Sequence, residues 1–174
     1  MKATSSRMML VACAVVLFGS LCTPVQAADE AKERAELAKA LVAAKVTLQS
    51  GLRASAAQGK AISAKFEVED GKLQLSIYTL KGDGLSEIVI NPATAKVEKA
   101  ETITDKEDLE YAAAQKAAMD KAKITLLAAV DKALKSNSGY RVVSISPQMK
   151  VDHPVADITL LRGKEFKTVT ERLE

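Results

Sequence analysis

Three observations predict an α+β fold made of two tandem repeats, each with one or two N-terminal helices packed on a three- to four-stranded antiparallel sheet. Ala44-Lys45-Val46-Thr47-Leu48 returns as Ala122-Lys123-Ile124-Thr125-Leu126, with the two threonines 78 positions apart. Self-similarity at a fixed spacing marks one supersecondary unit used twice. From Ala61 the apolar residues change from helical spacing to every second position, the period of a strand with one buried face. Asp70-Gly71 interrupts that alternation, and Asp-Gly between alternating runs signals a hairpin, because a type I′ turn needs positive φ at both central residues.

The start of the chain reads as an address rather than as structure. Lys2 and Arg7 flank the start of an apolar run over 8–21, and Val25-Gln26-Ala27 offers small or compact residues for cleavage. This is the pattern of a secretory signal peptide over 1–27. The run is shorter than the roughly 20 residues of a spanning helix, so a periplasmic or secreted protein without membrane insertion after cleavage is expected. Leu10-Val11-Ala12-Cys13 resembles a lipobox, but cleavage there leaves a very short apolar core, against about 7–15 residues in a working signal. Cys22 follows bulky Leu21, and both cysteines fall within the leader. The mature chain over 28–174 then has no thiol for a disulfide, a nucleophile or a metal site.

Without Lys2 and Arg7, 23 basic side chains face 22 acidic ones, a net charge of +1. Residues 28–104 carry 11 of each sign, and residues 105–174 carry 12 basic and 11 acidic. Nucleic-acid binding requires a concentrated basic face, which this balance does not provide. With three Phe, three Tyr and no Trp, the core must come from Leu, Ile, Val and Ala.

In chain order, residues 29–44 are rich in helix formers, with Leu37/Leu41 and Ala38/Val42 as an i, i+4 stripe. Thr47 then caps a second helix with Leu48, Leu52 and Ala56 on one face, stopped by Gly59; an unbroken helix over 29–58 is the alternative. A two-residue turn at Asp70-Gly71 opposes Glu69 with Lys72, Val68 with Leu73, Phe66 with Leu75 and Ala64 with Ile77, so apolar meets apolar on one face. A four-residue loop over 81–84 continues this inner face by opposing Ile77 with Ile88 and Leu75 with Ile90. It also opposes Leu80 with Leu85 and Tyr78 with Glu87. Asn91-Pro92 ends the third strand, because Pro lacks the ladder donor, and residues 97–103 supply a short fourth.

Thr104-Asp105-Lys106-Glu107 reads as a capping box, opening a helix to about Lys121 with Leu109, Ala112, Ala113 and Ala117 as its buried stripe. Thr125 repeats the role of Thr47, and Leu126, Leu127, Val130, Ala133 and Leu134 form the next apolar face. Residues 140–146, 154–161 and 164–173 read as strands. In the last of these, Phe166, Thr168 and Thr170 compete with Val169 and Leu173 for the inner face. Leu75, Ile77, Leu80 and Gly82 match Ala156, Ile158, Leu161 and Gly163 at an offset of 81, which places about three inserted residues between the motif and the second strand.

The run from Val46-Thr47-Leu48 through Lys60-Ala61-Ile62, Phe66-Glu67, Glu69-Asp70-Gly71-Lys72 and Ile88-Val89-Ile90-Asn91 to Thr94 and Lys96-Val97 resembles the PepSY domain. This module occurs in metallopeptidase propeptides and small exported bacterial proteins. Residues 44–98 carry the likeness, and residues 122–174 share the opening motif and strand order. Ala95 stands where the family usually has glycine, Asn91-Pro92 replaces valine-aspartate, and residues 149–154 replace the acidic hairpin in the second unit. The resemblance implies a helix on an antiparallel sheet, an extracytoplasmic setting and a role in binding or inhibiting peptidases. It implies no catalytic residue. The doubled unit also looks like the architecture of the β-lactamase inhibitory protein, a likeness of fold that does not license function.

The residues that could carry chemistry are sparse. His153, the one histidine, lies in a loop-like stretch, and a metal site normally needs three or four ligands. No Gly-x-Ser-x-Gly elbow presents a serine, and residues 81–84 are too few for a calcium or phosphate loop. Glu67, Glu69 and Asp70 read as a solvated face beside Lys65 and Lys72. No cofactor and no catalytic site are therefore expected.

The register leaves one anomaly. Tyr78, Leu80, Leu85 and Val89 fall on the sheet face opposite the core, where a one-sided sheet should be polar. They are the candidate contact face for a protein partner, unless the second unit or a homodimer mate covers them. The expected function is a non-enzymatic exported interaction module binding or inhibiting peptidases; the alternative is a small-ligand or metal-binding sensor.

Overall fold

The computed structural model describes residues 24–82 and 84–174. Residues 1–23 of the expected leader and Asp83 of the expected loop lie outside the described residues. Among the described residues four helices, α1 (Pro24–Leu41), α2 (Leu48–Ala54), α3 (Lys106–Lys121) and α4 (Leu126–Ser136), pack on one seven-stranded antiparallel sheet. Its strands are β1 (Lys60–Glu69), β2 (Lys72–Lys81), β3 (Gly84–Ile90), β4 (Val97–Thr102), β5 (Arg141–Lys150), β6 (His153–Arg162) and β7 (Glu165–Arg172), in the order β4-β3-β2-β1-β5-β6-β7.

The first meander has the expected pairs throughout: Glu69 with Lys72, Val68 with Leu73, Phe66 with Leu75 and Ala64 with Ile77, then Ile77 with Ile88 and Leu75 with Ile90. The loop after β2 is shorter than expected, because Lys81 already pairs with Gly84. Asp70 and Gly71 have φ of 50° and 74°, as a type I′ turn requires. The β5–β6 connection, where no such turn was expected, makes it from Val151 and Asp152 at φ of 46° and 66°. In the last hairpin Val169 lies opposite Ile158 while Thr168 and Thr170 face Thr159 and Asp157. Val169 and the fully buried Leu173 therefore take the core side.

Thr47 and Thr125 cap α2 and α4: their hydroxyls accept from the backbone N–H of Ser50 and Ala128 at 3.2 Å. Ser50 returns a bond by accepting from the Thr47 N–H, completing a capping box. Both helices lie on the inner face. A Cβ on Gly51 would sit 2.3 Å from Leu75 Cδ2, so glycine lets α2 approach β2 closely. Lys132 of α4 reaches Glu171, a neighbour of Ala156, at 2.8 Å. Leu48, Leu52, Leu126, Val130, Leu75, Ile77, Ile145 and Ile158 fill the layer between these helices and the sheet.

Two expectations about helices fail. The cap of α3 is Asp105, whose carboxylate accepts from Glu107 and Asp108 N–H at 3.0 and 3.3 Å, and not Thr104. The buried stripe of α3 is Ala112, Gln115, Ala118 and Met119, while Leu109, Ala113 and Ala117 are exposed. The reason is the surface that α3 meets. It packs on β5, β6 and β1 from the opposite side of the sheet to α2 and α4, with Tyr111 and Gln115 hydrogen-bonded to Ser146. Ser146 alternates with inward-facing Ile145 and belongs to that outer face.

Cross-ties join the halves. Lys60 Nζ donates to the Met119 carbonyl at 2.9 Å, and Arg141 donates to the carbonyls of Leu41 and Val46 at 2.7 and 3.2 Å. The Arg141 guanidinium also stands 5.5 Å from the Phe66 ring centroid, and burial lowers its pKa.

Candidate functional site

The residues that the sequence nominated for partner contact do share the outer face. Tyr78 opposes Glu87, Leu80 opposes Leu85, and Val89 pairs with Ser76 and Lys99. As an open surface, however, the set is corrected: Tyr78 is 6 % exposed, Leu85 4 % and Val89 8 %, with Leu80 half-buried. Tyr78 and Leu85 belong to one buried cluster with Ala112 and Met119 of α3. The cover comes from within the chain: α3 packs on the neighbouring β1, and its Asp108 lies close enough for its charge to act on Tyr78.

A hydrogen-bonded polar network adjoins this covered patch. Ser76 donates to Glu67 at 2.6 Å, and Gln74 donates to Glu67 and Glu69 at 3.2 and 2.7 Å. Lys65 pairs with Glu67 at 2.5 Å, and Tyr78 donates to Glu87 at 3.4 Å. Burial, and then the Glu87 charge, push the Tyr78 phenol far above its ordinary range. Burial is the largest influence on Glu87 and raises it, Glu67 and Glu69 add repulsion, and Ser76 and Lys65 oppose the shift. Asp108 at the start of α3 is also raised, by burial first and then by Asp105 and Glu107. Among the described residues, no buried side-chain nitrogen or oxygen lacks a partner, which makes this a satisfied packing layer.

His153 heads β6, its Nδ1 2.6 Å from Glu174, at an exposed position. Among the described residues no group of three His, Cys, Asp or Glu side chains is placed to hold a metal ion. No described helix is long and apolar enough to cross a membrane.

The exposed feature with shape lies elsewhere. A cleft of about 670 Å³ runs between α1 and the β6–β7 turn, lined by Ala31, Arg34, Ala35, Ala38, Lys39, Val42, Gly163, Lys164 and Phe166. It forms because α1 is seated by its C-terminal end: Ala38 and Leu41 are buried, whereas residues 28–37 include none that is. Arg34 stands 5.9 Å from the Phe166 ring centroid and spans the cleft. Val42, expected in the buried stripe of the first helix, is 87 % exposed, because the helix ends at Leu41 and turns there. Sequence reasoning missed the cleft. Its one trace is Ala31, Arg34, Ala35, Ala38, Lys39 and Val42 recurring at i, i+3, i+4 along one helix stripe.

No family model matches the chain, and no curated protein matches it. One solved structure with a similar course, from Clostridium difficile 630 and described as a "putative lipoprotein", is 18% identical, with a TM-score of 0.38 over 69% of this chain and 79% of that one.

Proposed function

We propose that this chain is a non-enzymatic, exported protein-interaction module, built from two copies of one PepSY-like unit over 28–104 and 105–174, that binds a protein partner of the peptidase class. The doubling has support beyond the repeated pentapeptide. β1 and β5 begin 81 residues apart, as do β2 and β6, and β3 and β7. β1 bulges between Ala61 and Ser63, and β5 bulges between Val142 and Ser144. The N–H groups of Lys45 and Val46 donate to the Pro92 carbonyl, and those of Lys123 and Ile124 donate to the Leu173 carbonyl. The two basic residues that tie the halves, Lys60 and Arg141, are likewise 81 apart. Matching positions thus repeat bonds as well as residue types, which chance similarity of one motif does not explain.

The observation that carries the binding role is the cleft beside α1. Among the described residues, the stripe of α1 facing the β6–β7 turn is a concave, exposed and mostly apolar surface. Concave, mostly apolar surfaces with a few polar groups are where ligands bind. The test sets immobilised mature chain against a panel of purified exported peptidases, beside a thermal-shift screen of metals and small metabolites. A peptidase retained by the wild type and lost on Val42→Asp supports the reading. A melting shift with a small ligand, worth about 2.7 kcal/mol at 100 times its dissociation constant, with no peptidase retained, overturns it.

A further inference from the structure

Resting on that reading, we propose that the α1 cleft takes an acidic peptide segment that alternates carboxylates with large apolar side chains. The lining joins two features. Ala31, Ala35, Ala38, Val42, Gly163 and Phe166 give a low carbon floor, on which small residues let a backbone approach closely. Arg34, Lys39 and Lys164 stand over it, and among the described residues no carboxylate lines the cleft.

The charge is sorted by position on one helix. The acidic residues of α1, Asp29, Glu30, Glu33 and Glu36, fall outside the lining, while Arg34 and Lys39 fall within it. The acid nearest in sequence to Lys164 is already engaged: Glu165 accepts from Tyr140 at 2.7 Å and from Arg162 at 3.0 Å. A chain with a net charge near zero overall thus concentrates one sign around one concave apolar surface. Such complementarity selects partners and speeds encounter. A basic segment would meet Lys39 and Lys164 as like charges. An uncharged polar segment would leave the floor uncovered. A segment with both carboxylates and apolar side chains satisfies both parts of the lining, the carboxylates reaching Lys39 and Lys164 while Leu or Phe side chains lie between Val42 and Phe166.

The experiment measures fluorescence anisotropy of the mature chain with a fluorescein-labelled peptide alternating Glu and Leu, against Lys/Leu and Glu/Ser peptides of equal length. The Glu/Leu peptide is expected to bind at least about tenfold more tightly than either control. Added salt should weaken it, since the screening length falls from about 10 Å at 0.1 M to about 3 Å at 1 M. Lys39→Glu with Lys164→Glu should transfer the preference to the Lys/Leu peptide. Ala35→Trp, at an exposed position, should block the Glu/Leu peptide while thermal unfolding stays unchanged. Equal binding of the Glu/Leu and Lys/Leu peptides overturns the proposal. So does sedimentation showing a dimer of the chain that Ala35→Trp dissociates, because the occupant is then a second copy. A peptidase that binds the Ala35→Trp variant as it binds the wild type removes the cleft from the interface while leaving the interaction-module reading intact.

Discussion

Glu87 and Tyr78 face each other on adjacent strands; the carboxylate feels Glu67, Glu69 and Lys65 of β1 and Lys99 of β4 and lies opposite Glu101, while Asp108 of α3 acts on Tyr78. Burial raises the Glu87 pKa above its ordinary 4.5, so the folded state holds this proton more firmly than the unfolded chain does. Stability then falls as pH rises from the ordinary value through the raised one, and the cost of the buried charge is complete above that window. Asp108 titrates in the same direction. Glu87→Gln keeps an acceptor for the Tyr78 hydroxyl and removes the charge. It should raise the urea midpoint near pH 7 and change it little near pH 4, flattening the acid side of the stability profile. Urea titrations of both proteins across that range provide the check; a midpoint lowered near pH 7 and unchanged near pH 4 would mean that Lys65 and Ser76 outweigh burial.

Among the elements, α3 is the decisive piece, because it covers the outer face over β5, β6 and β1. Its N-terminus hangs on Asp105, and losing an N-cap side chain costs about 1 kcal/mol, with a range of roughly 0.5–2. Asp105→Ala should therefore lower the unfolding free energy by about that amount in chemical denaturation, and Thr104→Ala should leave it nearly unchanged. The reverse order would restore the cap that the sequence pattern favours. Why the pattern misled here is physical. The strands were legible because each register position opposes apolar with apolar, so a slip of one residue would have exposed the whole set. Helix α3 packs on Ser146 through Tyr111 and Gln115, so its buried stripe is partly polar and its alanines do not choose a side. Leu109, the residue that anchored the expected stripe, is 41 % exposed. The turn at Val151-Asp152 was hidden for another reason: neither the hairpin dipeptide nor a glycine is present, and the flanking ladder imposes positive φ on β-branched Val151, which does not favour it. The α1 cleft was illegible because it depends on where a helix rests against a hairpin more than a hundred residues away.

For the whole molecule, the question is whether two halves make one cooperative unit. They meet at the β1–β5 seam within the one sheet, where Ala64 pairs with Ile145 and Lys65 with Ser144, a short ladder. By itself this seam would couple them weakly. The helices change the balance, because α3 follows β4 in sequence yet rests on β5, β6 and β1 together, and its Met119 carbonyl accepts from Lys60. Arg141 returns the tie by donating to Leu41 and Val46 in the first half. Each half thus supplies part of the other's cover. Removing residues 105–174 would strip α3 and β5 from β1 and leave the open edge of β1 exposed, and an unpaired strand edge is a template for association. The full mature chain should unfold in one calorimetric transition, with calorimetric and van't Hoff enthalpies equal. Residues 28–104 alone should unfold or associate, seen as loss of near-ultraviolet dichroism or as oligomers in sedimentation. Two resolved transitions in the full chain, or a folded monomer from residues 28–104, would show instead that the seam and the cross-ties join two domains stable by themselves.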